Sequence, residues 1–281
     1  MKTDLKIILV TQGVSRIVEP LFSSGYQIVG ILESASRNYN KQKKLYKFVS
    51  IARNLYSVVA RQGTSLKGMS KKQKVPYRLM MSSDDPNLVN WIKELKPDVI
   101  VVFSMSQLLK EKIFNIPRYG TINLHPSFLP DYRGPNPDFW QYHDMEMTPG
   151  ATVHYIDKGE DTGDVIFQER VHVPLGTKSP QRLDLLIGEV GVSLILKVLE
   201  AIQSGTAPRI EQPVKSPTVR ARNLTPGEHK TIIDWQKWPI ERVWHVLCGT
   251  EMWLNALPQP KGLLKGQRWV IEDYKKQAMQ I

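Results

Sequence analysis

From Asp98 to Phe103 the chain reads Asp-Val-Ile-Val-Val-Phe, five apolar residues with no polar alternation. A strand with one face in water alternates apolar and polar side chains, whereas a strand covered on both faces does not. This run therefore predicts a strand buried in the middle of a sheet, with helices over both faces. The start of the chain agrees. Leu5 to Val10 reads as a short buried strand closed by Gln12-Gly13. Ser15 is the expected N-cap of a helix through Phe22, Gly25 stops it, and Tyr26 to Leu32 forms a second strand. A β-α-β opening leads to an α/β fold with a doubly wound, mostly parallel sheet.

Further along, Pro86 to Leu95 is a predicted helix opened by Asp84-Asp85. Thr121 to His125 is a short strand followed by a proline-rich loop, Pro126 to Pro137. Ala151 to Ile156 and Val165 to Val173 read as a strand pair around the turn Asp157 to Asp164. Ser179-Pro180 starts a long helix to about Gln203, with proline in the first turn, where its missing N–H costs little. At 281 residues, one large domain and one small one are expected. The expected boundaries are a main domain over 1–205, a linker rich in Pro, Ser, Thr and Arg over 206–225, and a small α+β domain over 226–281. That last part is too short to hold much core alone.

Several function classes are set aside at this level. The apolar run Ile7 to Val10 is too short for a signal-peptide core, and no stretch approaches the roughly 20 apolar residues of a membrane span. Cys248 is the only cysteine, which excludes an internal disulfide or a thiolate metal cage and fits a reducing cytoplasm. The loop after the first strand, Thr11-Gln-Gly-Val-Ser-Arg16, lacks the glycine spacing of a dinucleotide site and the Lys-Ser/Thr ending of a phosphate loop. There is no G-x-S-x-G elbow and no H-E-x-x-H pattern, so no metal is expected.

The net charge of +11 is local. No acidic residue lies between Glu33 and Asp84, while Lys and Arg occur 12 times from Arg37 to Arg78. Such a segment either attracts a polyanion or forms a solvated helix face. Leu45, Phe48, Val49, Ala52, Leu55, Tyr56 and Val59 recur at helical spacing and predict an amphipathic helix over about 41–61, followed by a basic loop, Gly63 to Lys74.

Two polar segments carry the chemistry. In Thr-Ile-Asn-Leu-His-Pro-Ser, Asn123 and His125 stand two apart at the end of a strand. Their side chains share one face and Leu124 takes the other. The carboxyl end of a parallel strand is where open α/β sheets place their sites. The second segment, His154 to Asp164, is a turn with several carboxylates and two glycines. Taken singly, a His near a strand end is more often a hydrogen-bonded structural residue, and Asp161 before Thr-Gly an ordinary turn former.

Taken in order, the stretch from Asn123 to Asp164 resembles the folate-dependent formyltransferase family, which carries N-x-H, then S-L-L-P-x-Y-R-G, then D-x-G-x-D-T-G-D. Here these stand as Asn123-Leu124-His125, Ser127 to Gly134 with Phe128 in place of Leu, and Asp157 to Asp164. The resemblance spans roughly the first 200 residues and implies a Rossmann-like catalytic domain. It also implies 10-formyltetrahydrofolate as the formyl donor, with no metal. Asn123, His125 and Asp161 become the catalytic set: an oxyanion donor, a polarising or proton-transferring imidazole, and a carboxylate that orients it. The folate is expected against Ser106, Gln107 and Leu108 and against Ile156, Asp157, Lys158, Gly159 and Glu160. Ser127, Arg133, Asn136 and Trp140 are expected at the acceptor.

The acceptor itself is read as a nucleotide-linked amino sugar. The loop Arg133 to Trp140 resembles the sugar-modifying members, and the opening lacks stretches typical of the tRNA enzymes. Methionyl-tRNA is the alternative, favoured by the basic segment and the tail. A non-catalytic folate-binding module is a third reading, but it leaves the register of the three polar residues unexplained. No membrane partner is expected, and a homodimer is left open.

Overall fold

The structure, a computed structural model, describes residues 5–35, 65–225, 228, 231–234 and 236–249. Within them a sheet runs in the order β3-β2-β1-β4-β5-β6-β7. The strands are β1 (Lys6–Thr11), β2 (Gln27–Ser34), β3 (Tyr77–Met80), β4 (Val99–Phe103), β5 (Thr121–His125), β6 (Gly150–Tyr155) and β7 (Val165–Arg170). The first five are parallel; β5–β6 and β6–β7 pair antiparallel.

The expected central strand is β4, between β1 and β5. Its residues divide between two cores, as burial on both faces requires. Val99 and Val101 join Ile7 and Leu9 on one face, while Ile100 and Val102 join Ile8 and Val10 on the other. The first face is covered by α1 (Val18–Ser23) and by a long helix. That helix comprises α6 (Ser179–Leu183), a π-helical stretch Asp184–Gly191, and α7 (Val192–Ser204). The second face is covered by α3 (Pro86–Leu95) and α4 (Glu111–Phe114). Gly191 lets the long helix lie close under β5, since a Cβ there would stand 2.7 Å from Leu124 Cδ2. Leu124 is thereby fixed in the core, and the residues on either side of it turn to the opposite face.

Three local expectations differ. Residues 63–74, read as a loop, contain α2 (Leu66–Gln73), capped by Ser65 Oγ, which accepts from Gly68 N at 3.0 Å. Only Leu66 and Ser70 are buried on this helix, so its polar sequence carried almost no periodic signal. Helix α1 starts at Val18, three residues past the expected cap; the Ser15 hydroxyl accepts from Thr11 Oγ1 at 3.1 Å, and no side chain caps the helix. Strand β3 was not expected. The helix expected over 41–61 lies outside the described residues.

The expected linker is not a free tether. Residues 210–224 run back across the loops at the carboxyl ends of β5 and β6, with Ile210 bridging Val165 and Ala221 N donating to Arg133 O at 2.8 Å. Within the described part of the C-terminal region, helix α8 (Ile240–Gly249; α5 being Pro137–His143) rests on this body. Arg242 donates to the carbonyl of His143 at 2.7 and 3.0 Å, and His245 Nδ1 accepts from Gly176 N at 3.0 Å. No helix among the described residues is long and apolar enough to cross a membrane.

Candidate active site

At the carboxyl edge of the sheet lies a cleft of about 690 Å³ lined by Asn123, His125, His154 and Asp161 together. Strand β5 brings the first two. The antiparallel register then sets His154 of β6 directly opposite Asn123. Asp161 arrives from the β6–β7 turn in a left-handed conformation, φ +54°.

The carboxylate of Asp161 is the hub. Its Oδ2 accepts the N–H of Gly134 at 2.9 Å and faces His125 Nδ1 at 3.5 Å. Its Oδ1 faces His154 Nε2 at 3.6 Å and accepts from Asn123 Nδ2 at 3.4 Å. A carbonyl can only accept, which fixes one proton on each ring. His125 donates from Nε2 to Tyr132 O at 3.0 Å, and His154 donates from Nδ1 to Tyr155 O at 2.8 Å. The nitrogens left over are the two that face Asp161. His154 Nε2 also lies 3.1 Å from Asn123 Nδ2. Burial by itself would raise the Asp161 pKa. The adjacent His125, the His154 contact and the Gly134 N–H together outweigh it and hold the carboxyl well below the usual range.

The motif loop has the geometry its sequence implies. Thr152 Oγ1 donates to Ser127 O at 2.7 Å and accepts from Leu129 N at 3.0 Å, tying the proline-rich loop to β6. Gly134 takes φ +104°, and a Cβ there would stand 2.3 Å from the carbonyl of Ala221. Glycine is thus required both by conformation and by the strap of chain lying over it.

All eight residues expected at the folate (Ser106, Gln107, Leu108, Ile156, Asp157, Lys158, Gly159 and Glu160) line this cleft. The 157–162 turn is held internally, Asp157 accepting from Gly159 N at 2.9 Å and from Thr162 Oγ1 at 2.7 Å. Gln107 Oε1 accepts from Ser83 N at 3.1 Å, and Leu108 is exposed.

Of the four residues expected at the acceptor, only Asn136 lines the cleft. Ser127 is fully buried and donates to Asp131 O at 2.6 Å. The guanidinium of Arg133 is turned to Gln212, Pro213 and Val214. Trp140 is buried with Phe139, Tyr132 and Ala221 and donates from Nε1 to Arg222 O at 2.8 Å. These three hold loops and strap together. Polar and aromatic residues in such a loop have the same composition whether they face a ligand or a neighbouring segment, and the strap became visible only in three dimensions.

Sequence reasoning did not single out His154, Gln12, Arg16 or Asp138, which also line the cleft. His154 was within reach of it. A polar residue on a strand pairing antiparallel with Asn-x-His is a site candidate once the register is known.

The profile of the formyl transferase family matches residues 37–199. The methionyl-tRNA formyltransferase of Clostridium beijerinckii is 31% identical over 257 residues, covering 91% of this chain and 72% of that protein. Among solved structures, a 4-N formyltransferase from Francisella tularensis superposes with TM-score 0.59 at 19% identity, covering 88% of each chain. The formyltransferase PseJ from Anoxybacillus kamchatkensis, in complex with UDP-4,6-dideoxy-4-formamido-L-AltNAc and tetrahydrofolate, gives TM-score 0.52 at 19% identity, covering 85% of this chain and 97% of that one.

Proposed function

The chain belongs to the folate-dependent formyltransferase family, and from that premise we propose that it transfers a formyl group from 10-formyltetrahydrofolate to the α-amino group of methionine carried on tRNA. The observation that carries the acceptor is the extent of similarity to a methionyl-tRNA formyltransferase, 91% of this chain, which takes in the strap and part of the C-terminal region as well as the catalytic core. The structural likeness to the 4-N formyltransferase and to PseJ, each at 19% identity, supports the fold alone. The sequence argument for a sugar is weakened as well, because Trp140 is buried against the strap and does not line the cleft, although Phe139 does.

The site supports the chemistry as follows. The amine attacks the formyl carbon, a C–N bond forms, and the formyl oxygen becomes an oxyanion. Asn123 supplies an N–H to that oxygen; a preorganised donor of this kind contributes about 3 kcal/mol. The amine proton passes to the Asp161–imidazole cluster. The same cluster returns a proton to the folate nitrogen as the old C–N bond breaks. Asp161, held ionised, favours the positive charge that builds on the attacking nitrogen and on the imidazoles. Leu108, exposed at the cleft, offers an apolar surface to a flat ring, and the polar turn 156–160 offers backbone groups to its edge.

The test incubates the protein and 10-formyltetrahydrofolate with charged initiator tRNA beside dTDP- and UDP-amino sugars and reads product mass. Formyl-methionyl-tRNA is the expected product. Transfer to a sugar with none to tRNA overturns the acceptor but leaves the reaction class standing.

A second measurement concerns salt. Lys71, Lys72 and Lys74 are exposed on and just after α2. For tRNA, log affinity should fall with log salt at a slope of roughly −0.9 per duplex phosphate neutralised, and changing all three lysines to Gln should flatten that slope by about two to three units. An unchanged slope would remove α2 from the tRNA footprint.

A further inference from the structure

The Asp161 carboxylate is held by a closed ring of bonds, and one member of that ring lies beyond residues 37–199, the part that the family profile matches. Gln212, in the strap, donates from Nε2 to the carbonyl of Asp161 at 3.1 Å and to that of Gly163 at 2.6 Å. Its Oε1 accepts from Arg133 Nη2 at 2.8 Å and Nε at 3.2 Å. Arg133 is followed by Gly134, whose N–H holds the Asp161 carboxylate at 2.9 Å. The path from Asp161 backbone through Gln212, Arg133 and Gly134 returns to the Asp161 side chain. Arg133 is anchored further by Pro213 O at 2.8 Å and Val214 O at 3.2 Å.

We propose that Gln212 is a positioning residue for formyl transfer, fixing Asp161 between His125 and His154 from the strap. Asp161 stands at φ +54°, a region costly for a residue with a side chain, so its conformation persists only where surrounding bonds determine it. The Gln212 amide is placed to do this. It donates to two carbonyls of that turn, the bond to Gly163 O being buried, and it is itself nine-tenths buried. A shift of the turn by 1 Å would carry the carboxylate away from one imidazole and towards the other, a displacement large enough to cost about a hundredfold in rate. The strap is thus part of the catalytic unit, although its composition reads as a linker.

The inference rests on the catalytic role given to Asp161, and the test separates the two. Gln212→Glu keeps the acceptor for Arg133 and strengthens that half as an ion pair, but it offers no donor to Asp161 O and Gly163 O. Gln212→Met keeps the length and removes both halves without charge. Ser216→Ala, which removes a strap bond to Pro130 O made at 2.7 Å, controls for general loosening. Each is assayed for formyl transfer to whichever member of the acceptor panel supports wild-type turnover, together with Asp161→Asn. Gln212→Glu and Gln212→Met should lower kcat tenfold or more with KM for the acceptor within about twofold, while Ser216→Ala stays near wild type.

Wild-type kcat in Gln212→Glu, with Asp161→Asn inactive, means that Gln212 only anchors Arg133, and the inference fails alone. Full activity in Asp161→Asn sinks both. If Gln212→Glu does not fold, Gln212→Met decides on kcat alone: a tenfold or greater loss supports the inference and wild-type kcat overturns it. Should both raise KM with kcat unchanged, the strap serves binding instead and the inference is overturned.

Discussion

Asp161→Asn should lower kcat on the order of 10³-fold while the protein stays folded. Asparagine can still accept the Gly134 N–H, made at 2.9 Å in the wild type, so the turn keeps its main tie. What disappears is the negative charge facing His125 Nδ1 at 3.5 Å and His154 Nε2 at 3.6 Å. Loss of general acid–base assistance typically costs 10²- to 10⁴-fold. His125→Ala should fall in the same range, and Asn123→Ala should lose on the order of 10²- to 10³-fold through the oxyanion contact. On the proposed mechanism Asp161 and His125 share one proton path, so the double variant should cost little more than the worse single one. Independent multiplication of the two defects would argue against a shared path, and full turnover in Asn123→Ala would remove its oxyanion role.

A stability effect accompanies the catalytic one, and its sign is fixed. The Asp161 pKa is depressed in the fold, so its contribution is fully present above the ordinary carboxylate pKa and is lost as pH falls through the folded value. Asp161→Asn should therefore be less stable than wild type at pH 7, with the difference shrinking in strong acid.

His245 gives the second large effect, this time on stability alone. Its ring is 1% exposed, lies 4.9 Å from the Tyr142 ring, and accepts the Gly176 N–H through Nδ1. Burial, and secondarily the nearby Arg182, lowers its pKa to about 4. The unfolded chain takes up a proton near pH 6.5, whereas the folded one resists it down to about pH 4. Stability therefore falls as pH drops through that window. Between pH 7 and pH 5 the loss attributable to this group is about 2 kcal/mol, or roughly 4–8 °C in Tm. His245→Gln cannot titrate, and its amide oxygen can take the Gly176 N–H. Its Tm should be correspondingly flatter over the same range. Parallel curves for the two proteins would show that α8 is not docked through a neutral imidazole.

The sequence by itself determined the parallel core, because burial on both faces leaves a composition that Asp98 to Phe103 displays with no reference to neighbours. It also determined Asn123 and His125 on one face, since period-2 geometry is local, and the family, since the order of three motifs is written along the chain. What it did not carry were facts about pairs distant in sequence. His154 enters the site only through the β5–β6 register. Helix α2 escaped notice because too few of its residues are buried to leave a period. Ser127, Arg133 and Trp140, expected at the acceptor, hold loops and strap instead. The strap carries Gln212 back to Asp161 across 51 positions. Its Pro, Ser, Thr and Arg composition is that of any solvated linker, because its contacts are made by single polar groups and backbone carbonyls. Directional bonds of that kind leave no periodic trace in the chain, and only the tertiary structure decides where they close.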